Sequence, residues 1–125
     1  MVVDSSVLLA IFFAEPYGGW AVDRLAENAQ ELRMSTVNLA ETLIRVRDRQ
    51  PRSYQRIEAS LLGSGIRFIA PDVRQARIVA EARITYPLNL GDCFAYALAR
   101  TEGCPILTLD GDFRTLSWSV VSPEP

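Results

Sequence analysis

The chain has 125 residues, 49% of them hydrophobic, and a formal net charge of −2, which is one domain's worth of sequence and enough to bury a core without disulfide or structural-metal staples. Its 13 basic residues are all arginine, with no lysine and no histidine, which excludes imidazole general bases, histidine-ligated zinc, Schiff-base lysines and lysine phosphate clamps. The slightly acidic balance neither announces a nucleic-acid binder nor excludes one, because an enzyme that grips phosphate through metal ions needs acidic ligands.

Residues 1–4 read as a short buried strand, followed by a helix over 6–13 that stops before Pro16 and a second helix over 19–28. A strand over 32–35 leads to Ser35 or Thr36, either of which can cap a helix running to Arg49. Pro51 starts another helix, which ends at the Gly63-Ser64-Gly65 turn. A strand over 66–69, a helix opened by Pro71-Asp72 and running to Ile84, and a helix over 92–101 follow. Gly103-Cys104-Pro105 breaks that helix, and strands over 106–109 and 117–121 complete the chain before a Ser-Pro-Glu-Pro tail too proline-rich for a sheet interior. This alternation predicts βαβ units. The expectation is a single α/β domain over residues 1–125, a three-layer α/β/α sandwich on a mainly parallel central sheet.

The longest apolar run, residues 7–14, is too short to span a bilayer, and the first charge is Asp4 rather than the basic start of a secretory signal. A cytoplasmic protein with no membrane partner is expected. Cys93 in an apolar helical run and Cys104 beside Pro105 read as buried free thiols.

Four carboxylates carry the chemistry. Asp4 and Asp110 each close an apolar strand, where ligands of parallel α/β sheets bind; capping of the next helix is the plain alternative for both. Glu41 shares a helical stripe with Val37, Ala40 and Ile44, which sets it on or beside a buried face, where an unpaired glutamate is costly. Asp92 opens a helix whose Ala95, Tyr96 and Ala99 share its face, and the helix N-terminus favours its ionised form. Converging acids repel one another unless a cation offsets their charge. Oxygen-only ligands select Mg²⁺ or Mn²⁺, which suits phosphodiester hydrolysis by an activated water.

Met1-Val-Val-Asp4-Ser-Ser6, then Ser35-Thr-Val-Asn-Leu-Ala-Glu41-Thr, then Leu90-Gly-Asp92-Cys-Phe-Ala-Tyr-Ala-Leu-Ala, then Leu107-Thr108-Leu-Asp110-Gly-Asp112 together resemble the PIN-domain ribonucleases, in particular the VapC-type toxins of bacterial toxin–antitoxin pairs. The resemblance covers essentially the whole chain. It implies a PIN-like α/β/α fold, a Mg²⁺ or Mn²⁺ site, endonucleolytic cleavage of an RNA substrate, a homodimer and a cognate VapB-type antitoxin that occludes the site. Asp4, Glu41 and Asp92 match the family's three most regular acids. Asp110 occupies the usual fourth place, and Asp112 can share or take it. Ser6 and Thr108 lie beside matched acids and are candidates to hold a metal-bound water or phosphate.

Arg45, Arg47, Arg49, Arg52 and Arg56 form a basic stretch, read either as a solvated face or as an RNA-backbone contact. Phe12, Phe13 and Trp20 suit the core or a partner surface, and Tyr96 suits packing before base stacking. Two rival functions remain at this level. A phosphatase or phosphotransferase of haloacid-dehalogenase type would use Asp4 as nucleophile, but the second acid two residues on and the lysine are missing. A non-catalytic α/β binding module would use the acids only as helix caps.

Overall fold

A computed structural model describes residues 1–124. The elements in chain order are β1 (Val2–Val3), α1 (Ser5–Phe12), α2 (Gly18–Glu27), β2 (Arg33–Ser35), α3 (Thr36–Arg49), α4 (Tyr54–Leu62), β3 (Arg67–Ile69), α5 (Val73–Thr85), α6 (Leu90–Glu102), β4 (Ile106–Leu107) and β5 (Val120–Val121). Pro51 opens a short 3₁₀ turn ahead of α4, and a second 3₁₀ segment, Gly111–Thr115, follows β4.

The strands form one sheet in the order β3-β2-β1-β4-β5, and every neighbouring pair is parallel. β1 is therefore central. The chain builds outward on one side through β2 and β3, then crosses to the other side for β4 and β5. The carboxyl ends of β1 and β4 flank the switch point at which parallel α/β sheets open a ligand crevice.

Strands of two or three residues suffice because the sheet is covered on both faces, and successive side chains enter opposite layers. Val2 and Ile106 join Val79, Ala95 and Leu98 beneath α5 and α6. Val3, Met34 and Leu107 join Val7, Leu8, Ala21 and Leu61 on the other side. A smaller cluster of Leu9, Val46 and Ile57 fills the seam between α1, α3 and α4. The result is the expected three-layer sandwich, with a sheet that is wholly rather than mainly parallel.

α6 lies deepest. Ala95, Ala97, Leu98 and Ala99 are all fully buried, and the three small alanines let the helix settle against the sheet. Gly103 ends it at φ 66°, a left-handed conformation that glycine adopts without strain. The helix begins at Leu90, two residues before the sequence reading, because Asn89 and not Asp92 takes the cap position.

The inward face of α3 also differs from expectation. Asn38, Thr42 and Val46 are the buried positions, preceded by Ser35, while Ala40 and Ile44 are exposed. The stripe through Val37, Ala40 and Ile44 is thus not the buried one, and Glu41 sits at its half-buried margin.

Both cysteines are free, Cys93 buried and Cys104 only half-buried. Tyr96 packs edge-on to Tyr86 at 5.8 Å and to Trp118 at 6.4 Å between ring centroids, a core role and not a stacking platform. Phe12 and Trp20 are half-buried against the α1–α2 core, and Phe13 against the smaller cluster. Among the described residues no helix is long and apolar enough to cross a membrane. Pro125, the last residue of the proline-rich tail, lies outside the described residues.

Because α6 carries the core of one layer, Leu98→Ala should lower the unfolding free energy by about 2–5 kcal/mol, measured by urea denaturation followed by circular dichroism.

Candidate active site

Asp4, Glu41, Asp92 and Asp110 meet in a cleft of about 340 Å³ at the carboxyl edge of the sheet, together with Ser6, Ile44, Arg45 and Asn89. Topology explains the convergence. Asp4 follows the central strand directly, and Asp110 follows β4, the strand paired beside it. Asp92 lies in the first turn of α6, and Glu41 in the second turn of α3, which packs against α6.

Asp4 is almost wholly buried, at 2% exposure. Although it stands at the N-cap of α1, its side chain makes no capping bond. Its Oδ2 instead accepts from the Ser6 hydroxyl at 2.7 Å and the Thr108 hydroxyl at 2.9 Å. Each hydroxyl has one proton to give, and each then accepts a backbone amide: Leu109 N–H onto Ser6 Oγ at 3.0 Å, and Asp110 N–H onto Thr108 Oγ1 at 2.9 Å. The two hydroxyls thereby tie the segment after β4 to the carboxylate after β1. With Oδ2 saturated, Asp4 Oδ1 remains buried and without a partner.

Asp92 is similar. Its backbone N–H donates to Asn89 Oδ1 at 2.9 Å, so Asn89 caps the helix and frees the Asp92 carboxylate from that task. Asp92 Oδ2 is buried and unpartnered. Asp110 does behave as a cap, with Oδ1 accepting the Asp112 N–H at 2.9 Å. Asp112 itself is exposed and outside the cleft lining, so the fourth carboxylate of the cleft is Asp110. The simple-cap explanation therefore fits Asp110 in part, and fits neither Asp4 nor Asp92.

Burial first, then the charges of Asp4 and Asp110 and last that of Glu41, push the Asp92 carboxyl from 3.8 up to about 7, against the Asn89 backbone amide, which pulls it the other way. Burial likewise raises Asp4, partly offset by the Ser6 and Thr108 hydrogen bonds and reinforced by the Asp110 charge. No basic side chain is ion-paired with any of the four: the ion pairs among the described residues are Arg24–Glu27, Arg33–Glu102 and Arg67–Glu102.

Unpaired buried carboxylate oxygens that repel one another fit a divalent cation. Among the described residues no three carboxylates converge closely enough to enclose an ion by themselves.

A PIN-domain family model matches residues 1–118. The chain belongs to the PIN-domain family. Among its PIN-domain relatives, a VapC ribonuclease of Mycobacterium bovis is 35% identical over 123 residues, covering 90% of this chain and 92% of that one. The PIN fold is shared with VapC20 of Mycobacterium tuberculosis, a sarcin–ricin-loop-cleaving toxin, at a TM-score of 0.83 and 20% identity, covering 98% of each chain. A toxin–antitoxin complex from Klebsiella pneumoniae gives a TM-score of 0.81 at 21% identity, covering 98% of this chain and 97% of that one. With the family shown, the haloacid-dehalogenase alternative for Asp4 falls away.

Three residues escaped the sequence reading of the site: Asn89, which lines the cleft, and Asn38 and Gly91, which lie against Glu41 behind it. Asn89 had an available signal, the Asn-x-x-Asp spacing of a capping box. Asn38 Nδ2 donates to Glu41 Oε1 at 2.8 Å and to the Gly91 carbonyl at 3.0 Å.

The raised carboxyl sets a pH dependence. In EDTA the folded protein holds a proton on Asp92 up to about pH 7, whereas the unfolded chain releases it near pH 3.8. Stability should accordingly fall as pH rises from about 4 to about 7. Thermal melts across that window should show the decline, and Asp92→Asn should flatten it.

Proposed function

We propose that this protein is a metal-dependent endoribonuclease, the toxin of a toxin–antitoxin pair, with Asp4, Glu41, Asp92 and Asp110 holding Mg²⁺ or Mn²⁺. The observation that carries this reading is the pair of buried, unpartnered oxygens, Asp4 Oδ1 and Asp92 Oδ2, in one carboxylate cleft. Family membership and the ribonuclease names of curated relatives support the reaction class.

When bound, the cation supplies Lewis acidity toward a phosphodiester and activation of the attacking water. The chain's own residues prepare for it. Ser6 and Thr108 occupy one oxygen of Asp4 and so fix the direction of the other. Asn89 orients Asp92 by anchoring its backbone. Asp92 holds its proton until a cation makes the ionised form favourable.

Arg45 is the basic residue at the cleft, exposed and without an ion pair. Its role in this reading is to grip a phosphate of the RNA backbone. Along the same stretch Arg49 lies over the Phe13 ring at 4.0 Å and Arg47 over the Tyr54 ring at 5.1 Å, which limits their freedom and extends the charge beyond the cleft. Asp112 stays at the rim as a backbone partner of Asp110.

The antitoxin expectation draws support from the fold shared with toxin–antitoxin complexes. An apolar groove of about 320 Å³ between α1, α2 and α4, lined by Leu8, Ile11, Phe12, Leu25 and Leu61, offers a VapB-type partner a surface. A homodimer and a cytoplasmic location complete the reading.

The tests are direct. RNA cleavage should need Mg²⁺ or Mn²⁺ and stop in EDTA, and Asp4→Asn should slow it on the order of 100-fold or more; sequencing of cleaved ends from both proteins measures this, and wild-type rates in Asp4→Asn would refute the assignment. Arg45→Ala should raise KM more than it lowers kcat, and reduce the log–log salt slope of RNA binding by about 0.7 for a single-stranded contact.

A further inference from the structure

Glu41 lines the cleft with its carboxylate held from behind by a buried amide. Asn38 lies one turn before it on α3 and is fully buried. Its Nδ2 donates both to Glu41 Oε1, at 2.8 Å, and to the Gly91 carbonyl at the start of α6, at 3.0 Å. Both partners only accept, so the amide must turn its NH₂ toward them. The consequence is that Asn38 Oδ1 is buried with no partner. An unsatisfied buried oxygen destabilises the fold, at a position where an aliphatic side chain would bury without that penalty.

Gly91 is equally unexplained by the backbone. It is helical, and it is not among the glycines with positive φ, Gly65 and Gly103. Alanine would favour the helix more. What a side chain here would disturb is Glu41: a Cβ on Gly91 would fall inside its carboxylate, the far end of a flexible side chain, and so displace it. Two locally unfavourable residues, one on each helix, thus meet at the same carboxylate.

We infer that Asn38 and Gly91 are positioning residues that form a seat for Glu41, with the amide gripping one carboxylate oxygen and the missing Cβ leaving room for the group against the first turn of α6. The helix N-terminus favours a carboxylate held there. The seat links α3 to α6 at the carboxylate itself, so Glu41 and Asp92 are held in fixed relation across the cleft. This inference rests on the reading of the cleft as a divalent-cation site.

The test is Mn²⁺ titration by calorimetry on the full chain, with thermal melts in EDTA as the control for folding. Gly91→Ala should melt no lower than wild type, because the helix gains, yet bind Mn²⁺ about 10-fold or more weakly. In a Glu41→Ala background, where no carboxylate remains to be displaced, Gly91→Ala should change Mn²⁺ affinity no further. Asn38→Ala should follow the same cycle, weakening Mn²⁺ only while Glu41 is present, and it keeps the test open should Gly91→Ala fold poorly. Wild-type affinity in both single variants would overturn the seat while leaving the cation site standing. An equal loss in the Glu41→Ala background would also overturn it, since the effect would then be a general distortion of α6. Failure of the wild type to bind Mn²⁺ would remove the site and the seat together.

Discussion

Four carboxylates share one edge of a parallel sheet, and two of them, Asp4 and Asp92, have an oxygen sealed from water without a hydrogen-bond donor. That is an unfavourable arrangement for a protein on its own, and it is what the neighbouring structure is organised around. β1 must be central for Asp4 to be buried, and the crossover after β3 must carry β4 to its far side for Asp110 to stand beside it. Helix α6 must be capped by Asn89 for Asp92 to stay free. The charge conflict shows in Asp92, whose carboxyl is driven to about 7 by burial and by the other acids. A bound cation resolves the conflict, and folding, protonation and metal binding become linked equilibria of one cleft.

The remainder of the fold can be read as support for that edge. Side chains alternate across strands of two or three residues, so each short strand contributes to both cores. Hydroxyls of Ser6 and Thr108 then use their single protons on Asp4 and their lone pairs on the amides of Leu109 and Asp110. This small network joins two segments far apart in sequence and makes the position of the buried carboxylate depend on the parallel register of β1 and β4. Stability and site geometry are not separable here, since the same contacts provide both.

The sequence disclosed Asp4 and Asp110 because an acid placed directly after an apolar strand interrupts an obvious pattern. Glu41 was found for a partly mistaken reason. Hydrophobic periodicity pointed to Val37, Ala40 and Ile44, but the face of α3 turned inward carries Asn38 and Thr42. Close to a polar site, the buried face of a helix is itself polar, so a stripe chosen by apolarity drifts toward solvent. Asn38 and Gly91 escaped for a related reason: each is locally unfavourable, and its purpose appears only when α3 and α6 are brought together. Strands read as four or five residues long proved shorter, since apolar residues next to a strand continue the pattern without joining the ladder. The start of α6 was misplaced because an acid can open a helix from the cap or from the third position, and only the side-chain bond of Asn89 decides between them.

The central claim is that the Asp92 carboxyl keeps a proton until a divalent cation replaces it. Calorimetric titration of Mn²⁺ into the metal-free protein at pH 6, in buffers of different ionisation enthalpy, counts the protons released on binding. The account predicts a net release at pH 6 that diminishes by pH 8, above the Asp92 carboxyl at about 7. Binding with no proton release at either pH would contradict it.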